Sequence, residues 1–422
     1  MRNDIAEVER GCGPGNECQR STLGLRCQLA TDFSQVSGLQ AIWDEAVLRL
    51  GSPIYMTFDW VKTWWEFYAK GKPLRLFLFW LGEELVAILP FYLESFGFGP
   101  ARTTVGRLVG ANIPPKTFNP PVDIAFAREV FSLTTKHLFR NDRCDWVALG
   151  PVSAAWPCNS MFSERLDTLG PIKDLVRRIC YSPRDVQVLF VLPPTFEDYL
   201  KTLSSTERKN RMKRVRHLER NYKVSTDIVA DQALVEREFE SFSVQHARQW
   251  RAFGKGGHFA AWPMAHEFNR ALVKAQAKHG RVRFFRMLID GSVVANRYTF
   301  LLGKTLYSEL PAREVGEPWD KLGIGAVSLL KFNEAAIKEG VKLIDSGLGE
   351  YEHKSSLGGV EIPVGTWHLF ARGFGGLKAR MFSPIAKWVI FVCRKIWYRR
   401  VLPRMPERIK RTQHMWWLRF DL

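Results

Sequence analysis

The chain has 422 residues, 46% hydrophobic and 13% aromatic, with a net charge of +18 and seven cysteines. That length suits two domains, and the apolar content excludes a disordered chain. The odd cysteine count, without any C-x-x-C pair, argues against a disulfide framework and a zinc site and fits a reducing cytoplasm.

Residues 1–22 mix charges and glycines without an apolar segment, so a loose tail is expected and no signal peptide. Leu39, Ile42, Trp43, Ala46, Val47 and Leu50 recur at helical spacing over 37–50, and a second helix follows at 58–68. "RLFLFWLGEELVAILPFYL" reads as two strands turning at Gly82 and Glu83. A strand at 105–109, a proline-rich loop, a helix at 126–140 and the strand "DWVALGP" complete the first half. The second half opens on "VQVLFVL" at 186–192 and continues with helices at 196–203, 206–221, 232–250 and 263–279. "RFFRMLIDGSVVANRYTFL" is a second hairpin, turning at Asp290 and Gly291, before a strand at 305–310, a helix at 323–339 and a strand at 342–345.

GEELVA and GSVVA, 209 residues apart at Gly82 and Gly291 and each preceded by a helix with Phe and Trp, indicate an internal repeat. Hairpins alternating with helices imply mixed α/β sheets and not a doubly wound parallel one. The expected division is a tail at 1–22, domains at 23–185 and 186–372, and a basic tryptophan-rich tail at 373–422.

The charge is concentrated. Residues 201–223 hold nine Lys or Arg against Glu207 and Glu219, and residues 371–422 hold thirteen against Glu407 and Asp421; together these patches account for the whole surplus. In "STERKNRMKRVRHLER", Ser205 is the expected N-cap, and Met212, Val215, Leu218 and Tyr222 form a packing stripe. The outward Arg and Lys suit coenzyme phosphates, an anionic precursor, RNA or water alone. Stacking aromatics are scarce there, and nothing points to DNA. The tail interleaves Trp with Arg, and its longest charge-free apolar run, 388–393, is too short to cross a bilayer. Its two readings are a helix lying on an anionic membrane surface and a helix docked on its own domain.

Two stretches carry chemistry. "PWDKLGIGAVSLLKFNEAAIKEG" puts Gly323 and Gly325 at the start of a long helix, where the amides around Ile324 and Ala326 face a positive dipole end with no side chain in front. A helix start that merely lacks side chains is the plain alternative. "LIDSGLGEYEHKSSLG" ends an apolar strand at Asp345 and sets Glu350, Tyr351, Glu352, His353 and Lys354 just past Gly347 and Gly349.

Hairpin, third strand, glycine loop and "DSGLGEYEHK" together resemble the second half of the CelD/BcsL (cellulose biosynthesis) group of GNAT-fold acyltransferases, relatives of the FemAB aminoacyl transferases. The resemblance spans residues 39–370 and is densest over 204–358. It implies tandem GNAT-like domains and an acyl-coenzyme A donor, acetyl-CoA or another acyl-CoA, whose pyrophosphate rests on Gly323, Ile324, Gly325 and Ala326. Asp320 departs from the family loop, which begins with Gln or Arg, and Lys321 is the candidate replacement charge. "FESFSVQHARQWRAFGKGG" is similar to the group's substrate-side helix and implies substrate contacts by Trp250 and Arg251.

Acyl transfer to an amine requires a proton acceptor, oxyanion donors and a stabilised leaving thiolate. Glu350 is the candidate base, Tyr351 the acid, Lys354 the holder of a donor phosphate or acidic substrate, and Asp345 the residue orienting them. Tyr307 and Glu309, alternating with Ser308, are expected to line the same cleft. A solvated loop pair is the competing account of Glu350 and Lys354. His353 has no second ligand at metal-site spacing, so no metal is expected. The expected function is N-acyl transfer to an amino group of a sugar or cell-envelope precursor, in the cytoplasm or peripherally at the inner membrane. An aminoacyl-tRNA donor is the alternative, and a non-catalytic scaffold of a polysaccharide-synthesis assembly is a third reading, motivated by Asp320.

Overall fold

The computed structural model describes residues 18–20, 24–111, 116–163, 173–349 and 352–406; the side chains of Glu352 and His353 and all of Glu350 and Tyr351 fall outside the description. The chain divides into two compact units, the first of residues 1–111, 118–182 and 366–383, the second of 112–117, 183–365 and 384–422.

The first unit contains β1 (Cys18–Arg20), β2 (Leu25–Ala30), α1 (Gln40–Arg49), α2 (Phe58–Tyr68), β3 (Leu74–Leu81), β4 (Glu84–Phe96), β5 (Thr103–Leu108), α3 (Ala127–Arg140), β6 (Trp146–Ser153) and α4 (Asn159–Ser163). The six strands lie side by side in sequence order. Past Arg75, β3 reads as an unbroken apolar run because Leu76 to Trp80 are all buried, which a strand covered on both faces requires. Trp43 and Phe58 meet edge to face at 5.6 Å, which packs α1 against α2.

β7 (Val176–Val191) is divided between the units, and the second unit continues with α5 (Phe196–Thr202), α6 (Ser205–Asn221), β8 (Val224–Val229), α7 (Gln232–Ala252), α8 (Ala265–Ala277), β9 (Val282–Ile289), β10 (Ser292–Leu302), β11 (Thr305–Arg313), α9 (Trp319–Leu322), α10 (Ile324–Lys338), β12 (Leu343–Leu348) and α11 (Glu352–Ser355). β13 (Val360–Ala371) and α12 (Phe374–Phe391) follow. The strand order is β7, β12, β11, β10, β9, β8. α10 packs on this sheet through Ile324, Val327, Leu330 and Ile337, against Phe285, Met287, Leu306 and Ile344.

The fold is mixed α/β and its two units repeat one topology. Three antiparallel pairings followed by one parallel pairing make β2 to β6, and the same succession makes β8 to β12. A bulged residue, Val86 or Val294, follows each two-residue turn at the same distance. Gly82 therefore matches Asp290 and not Gly291, one residue away from the match the sequence suggests. The second turn has positive φ at both Asp290 (50°) and Gly291 (82°), which suits the twist of a tight hairpin.

The units differ where the parallel strands part. Past β5, an added Cβ on Gly110 would lie 2.5 Å from the Phe118 ring, and the Phe118 amide donates to the Pro151 carbonyl of β6 at 2.7 Å. Phe118 thus bridges the ends of β5 and β6.

Several sequence expectations need correction. The N-cap of α6 is Ser204, not Ser205, because its hydroxyl reaches the Glu207 amide at 3.2 Å. β2 lies just beyond the expected tail, β8 is a largely exposed polar strand, and β13 is interrupted by Pro363 and Gly365, so none of the three showed a clear apolar period.

Tyr199 ties the core of the second unit together: its hydroxyl donates to the Leu357 carbonyl at 2.7 Å and accepts from the Asn333 amide at 2.8 Å. Tyr199→Phe strands both partners in a buried site and is expected to cost about 1–3 kcal/mol. The measurement is the urea midpoint of the transition assigned to this unit, and an unchanged midpoint contradicts the expectation.

Candidate active site

The site arises where β12 leaves β11. Parallel pairing runs only from Thr305↔Leu343 to Tyr307↔Asp345, while β11 continues to Arg313 and β12 to Leu348. A cavity of about 500 Å³ is lined by Ser308 to Arg313 of β11, by Ser346 and Leu348 of β12, by the first turn of α10 and by the end of α7. Among the described residues its walls carry four cations, Arg211, Arg297, Arg313 and Lys354, and one carboxylate, Glu309.

Glu309 reaches the cavity through a bulge. Tyr298 pairs with Leu310 and Thr299 with Ser308, leaving Glu309 as the extra residue. Strict alternation would put Glu309 with Tyr307; the bulge instead brings Ser308 and Glu309 both to the cavity and leaves Tyr307 off its wall. Glu309 pairs with Lys116 at 2.5 Å.

The cations are held differently. Arg211 pairs with Glu207 at 3.1 Å, and Arg313 with Asp320 at 2.6 Å. Arg297 bonds to Ser308 Oγ at 3.2 Å and lies over the Phe332 ring at 4.8 Å, and no carboxylate among the described residues pairs with it. Burial lowers its pKa to about 10, so it stays charged at neutral pH. Lys354 donates to the Ser346 carbonyl at 2.9 Å, and burial brings its pKa down to about 8.

The start of α10 is capped by Gly323 at φ 65°. The Ala326 and Val327 amides turn back to the Gly323 carbonyl at 3.0 and 3.2 Å, which leaves Ile324 and Gly325 as the unpaired donors of the first turn among the described residues. The expectation that the Ala326 amide is available is therefore corrected. Two guanidiniums flank this turn: an added Cβ would lie 3.1 Å from Arg214 at Gly323 and 3.3 Å from Arg313 at Gly325. Asp320, the residue out of place in the family loop, is neutralised by Arg313 and by the Gly316 amide at 2.8 Å, and these bonds hold its carboxyl below the usual range. Lys321 stands away from the cavity, exposed and paired with Glu317 at 3.3 Å.

Asp345 is buried beneath the strand exit, not on the cavity wall. It accepts from Gln187 at 2.7 Å and from the Gly347 amide at 2.8 Å, and burial raises its pKa. Asp345 and Lys354 thus hold the segment 346–349 from two sides. Glu350 and Tyr351, which follow that segment, lie outside the described residues.

Trp250 is on the wall, with His246 at 5.9 Å and His258 at 5.1 Å between ring centroids, whereas Arg251 is exposed and bonds back to Ala247. Sequence reading missed the two histidines, although His246 stands one helical turn before Trp250. His246 Nδ1 faces the Pro311 carbonyl at 3.1 Å. A carbonyl only accepts, so that nitrogen carries the proton and Nε2 is an acceptor, met by His258 Nδ1 at 3.1 Å. His258 therefore keeps a bare Nε2, and the ring lines the cavity. Burial is the main cause that lowers His246 to about 3 and His258 to about 4, so both are neutral.

Residues 205–355 match the family described as Acetyltransferase (GNAT) domain. The matched residues lie within the second unit. Among solved structures, FemX is similar at TM-score 0.56 and 9% identity, over 78% of this chain and 96% of that one, and shares its fold. The C-terminal domain of a putative lysylphosphatidylglycerol synthetase from Agrobacterium fabrum aligns at TM-score 0.48 and 10% identity, over 82% and 95% of the two chains. No curated protein matches the sequence. The parting strands, the cavity and the turn at Gly323 all fall inside the matched residues.

The neutral histidines give a pH dependence with a definite sign. Their folded pKa values lie below the unfolded value near 6.5, so their contribution to stability is complete above pH 6.5 and is lost as the pH falls, down to about 4 for His258 and about 3 for His246. The slope is up to about 1.4 kcal/mol per pH unit for each histidine. Urea midpoints at pH 7 and about pH 5 measure it, and His258→Asn is expected to reduce the difference.

Proposed function

We propose that the second unit is an N-acyltransferase that takes an acyl group from coenzyme A and delivers it to an amino group of an anionic acceptor, of the sugar or cell-envelope precursor class. One observation carries this reading: Arg297, charged and without a carboxylate partner among the described residues, shares a cavity with the bare Nε2 of His258, inside a GNAT domain. A phosphate or carboxylate on the acceptor balances Arg297, and a guanidinium does this through two parallel bonds.

The donor's diphosphate is assigned to the Ile324 and Gly325 amides with Arg214 and Arg313 beside them. Arg313 exchanges Asp320, an exposed partner, for the diphosphate. In the reaction the amine nitrogen bonds to the thioester carbonyl carbon, the carbon–sulfur bond breaks, and the departing thiolate takes a proton. His258 Nε2 accepts the proton that the nitrogen sheds once the new bond makes it acidic, and returns it to the departing thiolate. Glu350, the acceptor suggested by sequence, is the alternative for that step, and Lys354 is assigned to charge developing on the carbonyl oxygen or to a phosphate.

Three variants test the assignment in a thiol-release assay. His258→Asn is expected to lower kcat about 100-fold if it takes the proton. Glu350→Gln, with the same loss and an unaffected His258→Asn, moves that role to Glu350. Full turnover in both removes the mechanism. Arg297→Gln is expected to raise the acceptor's KM about 10-fold or more with little change in kcat, the pattern of lost uniform binding.

A second donor is favoured by α6, whose Arg208, Lys209, Lys213 and Arg216 are all exposed, and by the fold shared with FemX. An aminoacyl-tRNA fits such a face. Turnover abolished by ribonuclease, with none from acyl-coenzyme A, selects it.

A further inference from the structure

The last described α-helix has two apolar faces, and the protein uses one. On α12, Ala379, Ala386 and Ile390 are buried, and Phe382 stacks on Phe96 at 5.5 Å. Phe374, Leu377, Met381, Ile385, Trp388 and Phe391 recur every three or four residues on the opposite side, and Phe374, Met381 and Trp388 are 74%, 67% and 65% exposed. Six large side chains in one stripe are more than a scatter of surface apolar residues.

The charge around the stripe identifies what covers it. Residues 372–406 hold nine Lys or Arg and no Asp or Glu. Arg380 and Lys387 are exposed on the flank of the stripe, and Lys395 and Arg400 are exposed on the helical continuation Val392–Val401. A second copy of the chain would bring the same positive charge to the contact. An anionic bilayer surface answers both features, with acyl chains for the stripe and headgroups for the flank. No helix among the described residues is long and apolar enough to cross a membrane, so the contact is one of lying on the surface.

We infer that α12 and its continuation form a lipid-docking face that holds the protein on anionic membranes through the stripe from Phe374 to Phe391. The full chain is sedimented with vesicles of phosphatidylcholine alone and with roughly 30% phosphatidylglycerol. Binding is expected on the anionic vesicles and to weaken with salt. Met381→Glu with Trp388→Glu, at exposed positions where folding is preserved, is expected to lower partitioning at least about 10-fold, and Arg380→Glu with Lys387→Glu to flatten the salt dependence. The inference is overturned by absence of vesicle binding, by binding that survives the stripe substitutions, or by binding that vanishes when residues 407–422 are removed and the stripe is intact. It is equally overturned if light scattering shows a dimer that the stripe substitutions dissociate while vesicles are ignored, since a second copy is then the occupant.

Discussion

The separation of β11 from β12 after three parallel pairs is the constraint on which the rest of the second unit depends. A strand that loses its neighbour midway exposes backbone groups and side chains that must face something else. In this unit they face the first turn of α10 and a cavity wide enough for a ligand. In the first unit the same topology ends with Phe118 set against Gly110 and Pro151, so an aromatic ring occupies the neighbourhood of the strand ends. The repeat thus yields two units alike in pairing and different in what lies at the opening.

Electrostatics makes the cavity specific. Keeping Arg297 charged in a half-buried place costs about several kcal/mol of hydration, partly offset by the Phe332 ring beneath it and the Ser308 hydroxyl. Such a cost is tolerated where a ligand's negative charge answers it. The histidines beside it take the opposite course, remaining neutral because burial penalises their charged forms, helped by His258 beside His246 and by Lys116 near His258. In the reaction proposed above, a fixed cation and an uncharged acceptor in one cavity separate binding from proton transfer. The same low-dielectric surroundings explain why Asp345 and Lys354 serve the segment 346–349 through backbone bonds.

Much of this was legible in the chain. The hairpins were readable because tight turns need residues that accept positive φ, as Asp290 and Gly291 do. The helix start at Gly323 was readable because two glycines interrupt a pattern that turns helical straight afterwards, and the basic tail because its charge has no acidic counterpart before Glu407. Trp250 was reached through resemblance and stands on the cavity wall, while Arg251, its neighbour, points to solvent, as successive helix positions must diverge by about 100°.

Local pattern fixes which residues turn, cap and alternate, because those properties depend on a few neighbouring dihedrals; the sequence alone therefore determined the mixed α/β repeat, the glycine turn and the amphipathic tail. Only the tertiary structure decided that a bulge turns Glu309 to the side of Ser308, that Arg313 and not Lys321 faces the helix start and cancels Asp320, and that His258 meets His246 with one nitrogen left bare. Each of these depends on where a strand leaves its neighbour and on distances between segments remote in the chain, which no short-range period records.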